Sequence, residues 1–125
     1  MVRLHTLVRL RSVERWTMQS RLEKDIEREV TGFATSLSIL QVKLNLSGQK
    51  GWPDRMYMYK GRTAFVEYKR PGEAPEPIQL YVHKLLRAQD FPVFVIDNAD
   101  YGITIIKEWK GHIDTELARV RQSYD

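Results

Sequence analysis

Apolar and polar positions follow several rhythms along this chain, and each rhythm predicts an element. Leu22, Ile26, Val30 and Phe33 recur at the three-to-four-residue spacing that lines one helical face, which predicts a helix over about 20–36. Ser20 offers an N-cap for that helix, and Glu23 completes the capping-box spacing. Residues 38–46, with Ile39, Leu40, Val42, Leu44 and Leu46, read as a strand. Gly48, Gly51 and Pro53 break the chain into a loop over 47–53. Two further strand-like runs, 54–59 and 63–69, flank Lys60-Gly61-Arg62, a tight hairpin signal. Prolines 71, 75 and 77 with Gly72 end the second run. A helix over about 77–89 follows, with Pro77 in its first turn and Ile78, Val82, Leu85 and Leu86 as its apolar stripe. Residues 92–97 read as a short buried strand and 97–102 as a turn region. Residues 103–124 read as one or two helices broken near Gly111, with 103–106 open to a strand reading. Residues 1–19 are mixed and basic, and an arm or short extra element is expected there, ahead of a single domain over 20–125. The order of elements predicts a mixed α/β fold, one sheet flanked by helices.

Composition narrows the chemistry. A chain of 125 residues is one domain, long enough to bury a core without disulfides. It has no cysteine, which excludes disulfides, thiolate zinc sites and cysteine nucleophiles and fits a reducing compartment. No apolar run approaches the roughly 20 residues of a membrane helix, and the Arg-containing start lacks a secretory cleavage site. A cytoplasmic protein without a membrane partner is expected. The net charge of +4 and a pI of about 9.4 permit a polyanionic partner such as DNA without demanding one.

The hairpin carries the most specific chemistry. If its turn centres on Lys60-Gly61, paired residues have numbers summing to 121, and Asp54 lies opposite Glu67. Lys69, two residues after Glu67, shares that face. Charges on neighbouring strands are most often a solvated face. Here, however, Val66 and Tyr68 are apolar on one side, while Phe65 and Met56 flank the charges on the other. A strand buried on both faces rarely carries charge without a ligand or a function. Two opposed carboxylates repel until a divalent cation sits between them, and an all-oxygen donor set suits Mg²⁺ or Mn²⁺ rather than zinc. A lysine beside such a cation suits hydrolysis of a phosphodiester.

The ordered motifs Gly51-Trp52-Pro53-Asp54-Arg55, Phe65-Val66-Glu67-Tyr68-Lys69 and Pro75…Gln79 resemble the VRR-NUC branch of the PD-(D/E)xK nuclease superfamily. Glu23 to Glu27 and Val93 to Asp97 are similar to the family as well, so that the resemblance covers about residues 22–100. The resemblance implies a restriction-endonuclease-like core, a central mixed sheet in the order αβββαβ. It implies metal-binding roles for Asp54 and Glu67, a catalytic role for Lys69, and a role for Gln79 in positioning the attacking water or the phosphate. It also implies one further carboxylate from the first helix, best matched by Glu27, with Glu23 one turn earlier as the fallback. The paired glycines that often follow the first helix in that family are replaced by Leu37-Ser38-Ile39.

Other candidates rest on position alone. Lys43, Lys50, Arg55, Arg62 and Arg70 lie on or near the site-bearing elements as phosphate contacts, and His83, one turn beyond Gln79, is placed to reach the substrate phosphate or to pack. Trp16, Trp52 and Trp109 are read as packing residues, and His5 and His112 as surface residues. The function expected is a Mg²⁺- or Mn²⁺-dependent, structure-selective DNA endonuclease. One chain presents one site and cutting two strands of a duplex or junction needs two, so a homodimer is expected, and the family resemblance then implies a Holliday-junction resolvase as the leading form. A monomeric nicking or flap nuclease and a non-catalytic DNA-binding module are the alternatives.

Overall fold

The structure is a computed structural model and describes residues 12–124. Helix α1 spans Ser12–Ser36, followed by β1 (Leu40–Lys43), β2 (Arg55–Tyr59), β3 (Arg62–Tyr68), α2 (Pro77–Ala88), β4 (Val93–Ile96) and α3 (Ala99–Tyr124). The four strands form one sheet in the order β1-β2-β3-β4, antiparallel except for the parallel β3–β4 pair. This is the mixed sheet flanked by helices that the sequence predicts.

The hairpin register follows from two backbone angles. Lys60 and Gly61 both take positive φ, 47° and 79°, the signature of a two-residue turn whose twist matches the strands it joins. Arg55 therefore pairs with Val66 and Met56 with Phe65, and the numbers sum to 121 as expected.

Each face of the sheet has its own apolar cluster. On one face, Ile26, Val30 and Ala34 of α1 and Ile106, Trp109 and Ile113 of α3 pack on Tyr57, Tyr59, Ala64, Val66, Tyr68 and Ile96. On the other, Val82 and Leu86 of α2 pack on Phe65 and Val93. β3 is thus sandwiched, and every residue from Ala64 to Lys69 is buried. Each large apolar side chain fully buried here contributes about 1.5–3 kcal/mol.

Several elements depart from expectation. α1 already runs through residues 12–19, so Ser20 is interior to it and its spacing to Glu23 marks no start. Residues 12–20 contain no proline or glycine to stop the helix. Residues 1–11 of the expected arm lie outside the described residues. β1 keeps only four of the nine residues proposed, because only Leu40–Lys43 pair with β2. α3 is continuous through Gly111, so neither a break there nor a strand over 103–106 forms. A single interior glycine costs about 1 kcal/mol, and burial of Trp109 and Ile113 on either side outweighs it. Among the described residues, no helix is long and apolar enough to cross a membrane.

α1 ends without the usual glycine. Ser38 takes φ 62°, its amide donates to the Thr35 carbonyl and that of Ile39 to the Ala34 carbonyl, each at 3.0–3.1 Å. These are the two bonds of a Schellman cap, with Ile39 buried as its apolar anchor. Ser38→Gly should relieve the left-handed strain and stabilise the fold by about 1 kcal/mol, read as a higher denaturant midpoint at unchanged slope.

Candidate active site

The residues singled out on the hairpin come together at the end of the sheet far from its turn. Gly51 takes φ +86°, and a Cβ there would stand 2.7 Å from the Ile78 carbonyl oxygen. Only glycine lets the 47–53 loop press against the first turn of α2 in this way. The loop delivers Asp54 to the start of β2, where it is held twice. Its carbonyl accepts from the Leu44 amide at 2.8 Å, and its Oδ2 accepts from the Tyr68 amide at 2.7 Å. Continuing the register of Arg55 with Val66 by one residue sets Asp54 across from Glu67.

Glu67 is 1% exposed and Lys69 8%. Glu67 Oε1 lies 3.0 Å from His83 Nε2 on α2, while Oε2 is buried without a hydrogen-bond partner. Lys69 Nζ lies 3.6 Å from Glu73, which also pairs with Arg70. Burial pushes the pKa of Glu67 up, aided by Asp54 and opposed by His83 and Lys69. Burial likewise raises Asp54, against the Tyr68 amide that favours its charged form, with Glu27 raising it further and Lys69 and Lys43 lowering it.

Both candidate glutamates of α1 reach the same place. Glu23, Lys24, Glu27, Lys43 and Asp54 line a cleft of about 200 Å³. Glu27 is engaged there, its Oε1 accepting from Arg55 Nε at 2.7 Å. The Glu23 carboxyl is raised by burial first and then by Asp54, with Lys69 opposing. Among the described residues, no three acidic or histidine side chains already converge as a metal cage. The donors nonetheless suit a hard cation: Glu67 Oε2 is a buried, unpartnered oxygen, and Asp54, Glu67 and Glu23 are carboxyls that lack sufficient compensation for their charge. Mg²⁺ commonly takes only one or two protein carboxylates and keeps several waters.

The remaining candidates scatter. Gln79 Oε1 accepts from the Glu76 amide at 2.8 Å and caps α2. His83 is fully buried, with its Nε2 3.0 Å from Glu67 Oε1. Lys43 lines the cleft, Lys50 is exposed on the loop, and Arg70 is half-buried beside Glu73. Arg62 lies at the opposite end of the hairpin, 3.3 Å from Glu116. Trp52 packs edge-on to Phe65 and Trp109 is buried, as read from the sequence, while Trp16 and His5 lie outside the described side chains. Glu73 and Lys24 carried no signal in the sequence: Glu73 sits in a proline-rich loop where helical spacing does not apply, and Lys24 is one of many helix-surface charges. Larger cavities lie along α3, one lined by Glu108, His112 and Glu116, and they bring together no residue of the hairpin's end.

Electrostatics of the cluster make a prediction about stability. The folded pKa of Asp54 lies above its ordinary value of 3.8, so its ionised form opposes folding in metal-free protein. That opposition is absent below the ordinary value, grows as pH rises through the interval between the two, and is fully present above it. Asp54→Asn keeps an oxygen for the Tyr68 amide and should raise the melting temperature in EDTA at about pH 8, with the gain shrinking toward zero near pH 4.

Comparison with known proteins agrees with the fold. No protein-family model matches the chain. The chain is 35% identical over 79 residues to "Putative nuclease p44" of Acyrthosiphon pisum secondary endosymbiont phage 1, a match spanning 62% of this chain and 85% of the phage protein. A solved structure described as a VRR_NUC domain superposes with a TM-score of 0.64 at 27% identity, covering 69% of this chain and 95% of that one. With the αβββαβ core and the ordered Asp54, Glu67 and Lys69 in place, the chain belongs to the VRR-NUC nuclease family.

Proposed function

We propose that this chain is a Mg²⁺- or Mn²⁺-dependent endodeoxyribonuclease that hydrolyses phosphodiester bonds in branched DNA, acting as a homodimer of the junction-resolving kind. One observation carries the reading: half-buried Asp54 and buried Glu67 are opposed carboxyls whose charge is poorly compensated, with Lys69 beside them. A fold tolerates such a cluster at a cost, and a divalent cation turns the repulsion into attraction.

When bound, the cation would neutralise the carboxylates and supply Lewis-acid polarisation to the phosphate. Asp54 and Glu67 would hold it. Glu23 is the first-helix carboxylate best suited to join them, since Glu27 is spent on Arg55. Lys69, held in place by burial and Glu73, would orient the attacking water and stabilise the charge that develops on the phosphate. Gln79 is committed through Oε1 to the helix cap, so its Nε2 is the group left to position the water. Lys24 and Lys43 on the cleft wall, with Lys50 on the adjoining loop, supply positive charge for the DNA backbone. Phosphodiester hydrolysis of this kind depends mainly on positioning and charge neutralisation.

In Mg²⁺, cleavage of a four-way junction should exceed cleavage of plain duplex of the same sequence, measured on gels. Glu67→Ala should lower the rate by a factor of about 10² or more while DNA binding persists. Unchanged cleavage in that variant contradicts the site, and equal cutting of junction, flap and duplex contradicts the substrate preference. Light scattering should report twice the 14.7 kDa chain mass; a monomer that cleaves flaps favours the nicking or flap reading.

A further inference from the structure

His83 is the one buried histidine of α2, and the reading above gives it no task. It is 0% exposed, its Nε2 lies 3.0 Å from Glu67 Oε1, and its Nδ1 has no partner. Its placement is rigid. Pro77 and the Gln79–Glu76 bond set the first turn of α2. At the other end, Asp90 at φ 65° and the bond from the Phe91 amide to the Leu86 carbonyl close the helix in a second glycine-free Schellman cap. Between them, Val82 and Leu86, on either side of His83 along the helix, are packed on Phe65 and Val93.

The two unpartnered atoms fix the direction of the hydrogen bond. An imidazole nitrogen without a partner is better tolerated as a bare lone pair than as a buried N–H, so the ring proton belongs on Nε2. Nε2–H then donates to Glu67 Oε1 and leaves Oε2 as the only oxygen of that carboxyl with an unmet demand.

We propose that His83 is a positioning residue, holding Glu67 by Oε1 so that a divalent cation receives Oε2 alone. The inference rests on the cation-dependent reading of the site and adds a selectivity to it. A carboxylate restricted to one oxygen suits the small octahedral shell of Mg²⁺ or Mn²⁺. Ca²⁺ accepts bidentate carboxylates and more ligands, so it loses the larger share of its binding. Hydrogen bonds of this type to a ligating side chain commonly change metal affinity by about 10–100-fold.

The test is calorimetric titration of the full chain with Mn²⁺ and with Ca²⁺, without DNA, for wild type, Glu67→Ala, His83→Gln and His83→Asn. A glutamine can place its amide N–H near the position of Nε2, and an asparagine is too short to do so. His83→Gln should bind Mn²⁺ within about threefold of wild type. His83→Asn, shown folded by circular dichroism, should lose about 10–100-fold and show a smaller preference for Mn²⁺ over Ca²⁺. Equal Mn²⁺ affinity in both His83 variants overturns the positioning role while leaving the cation site standing. Failure of wild type to bind, or wild-type binding in Glu67→Ala, overturns the cation site itself. Nitrogen-15 spectra of wild-type protein saturated with Mg²⁺ provide a readout free of any substitution. They should show the proton on Nε2, and a proton on Nδ1 with a bare Nε2 overturns the proposal even if the asparagine variant does not fold.

Discussion

A carboxyl buried near the end of a sandwiched strand is the constraint on which the rest of this molecule depends. Glu67 sits between Val66 and Tyr68, whose side chains are locked into the cluster under α1 and α3. Its own side faces α2 and lies on the same surface as Phe65. Burying an ionised carboxylate without partners is costly enough that proteins usually protonate or pair it. Here one oxygen meets His83, the other meets nothing, and Asp54 stands opposite with its own raised pKa. Packing forces that would normally exclude such a group are used to hold it still.

The surrounding elements follow from that placement. The Lys60-Gly61 turn sets the register that puts position 54 across from 67. Gly51 lets the preceding loop reach α2, and the Leu44 and Tyr68 amides pin Asp54. α1 brings Glu23, Lys24 and Glu27 over the same end of the sheet. The parallel β3–β4 pair needs a crossover between its strands, and α2 supplies it, carrying Gln79 and His83. One cleft therefore collects side chains from the first helix, the end of β1 and the start of β2, and the register sets Glu67 of β3 across from its Asp54. On the proposed reading, stability is given up at this cluster in favour of a site, a common trade in enzymes.

Much of this was legible in the sequence because it depends on local rules. A lysine–glycine turn between two apolar runs fixes pairing arithmetic, and consecutive apolar neighbours of Glu67 announce a strand covered on both faces. What was not legible depends on long-range contacts. Ser20 and Glu23 mimic a helix start, and nothing local distinguishes a true cap from the same spacing inside a longer helix. The run from 38 to 46 is apolar throughout, yet only the stretch facing β2 forms strand. Ser38 occupies a left-handed position that composition would assign to glycine. The pairing of Glu27 with Arg55 spans 28 residues of sequence, and no periodicity in either segment signals it. His83 shares helical spacing with Gln79, but whether it faces solvent or Glu67 is decided by how α2 docks.

The reading of this cluster as a cation site is tested most directly by anomalous scattering from crystals of the wild-type protein soaked in Mn²⁺ at neutral pH. An anomalous peak is expected within bonding distance of Asp54 and of Glu67 Oε2, with Glu67 Oε1 still on His83. A well-ordered cluster at saturating Mn²⁺ with no peak between those two carboxylates would contradict it.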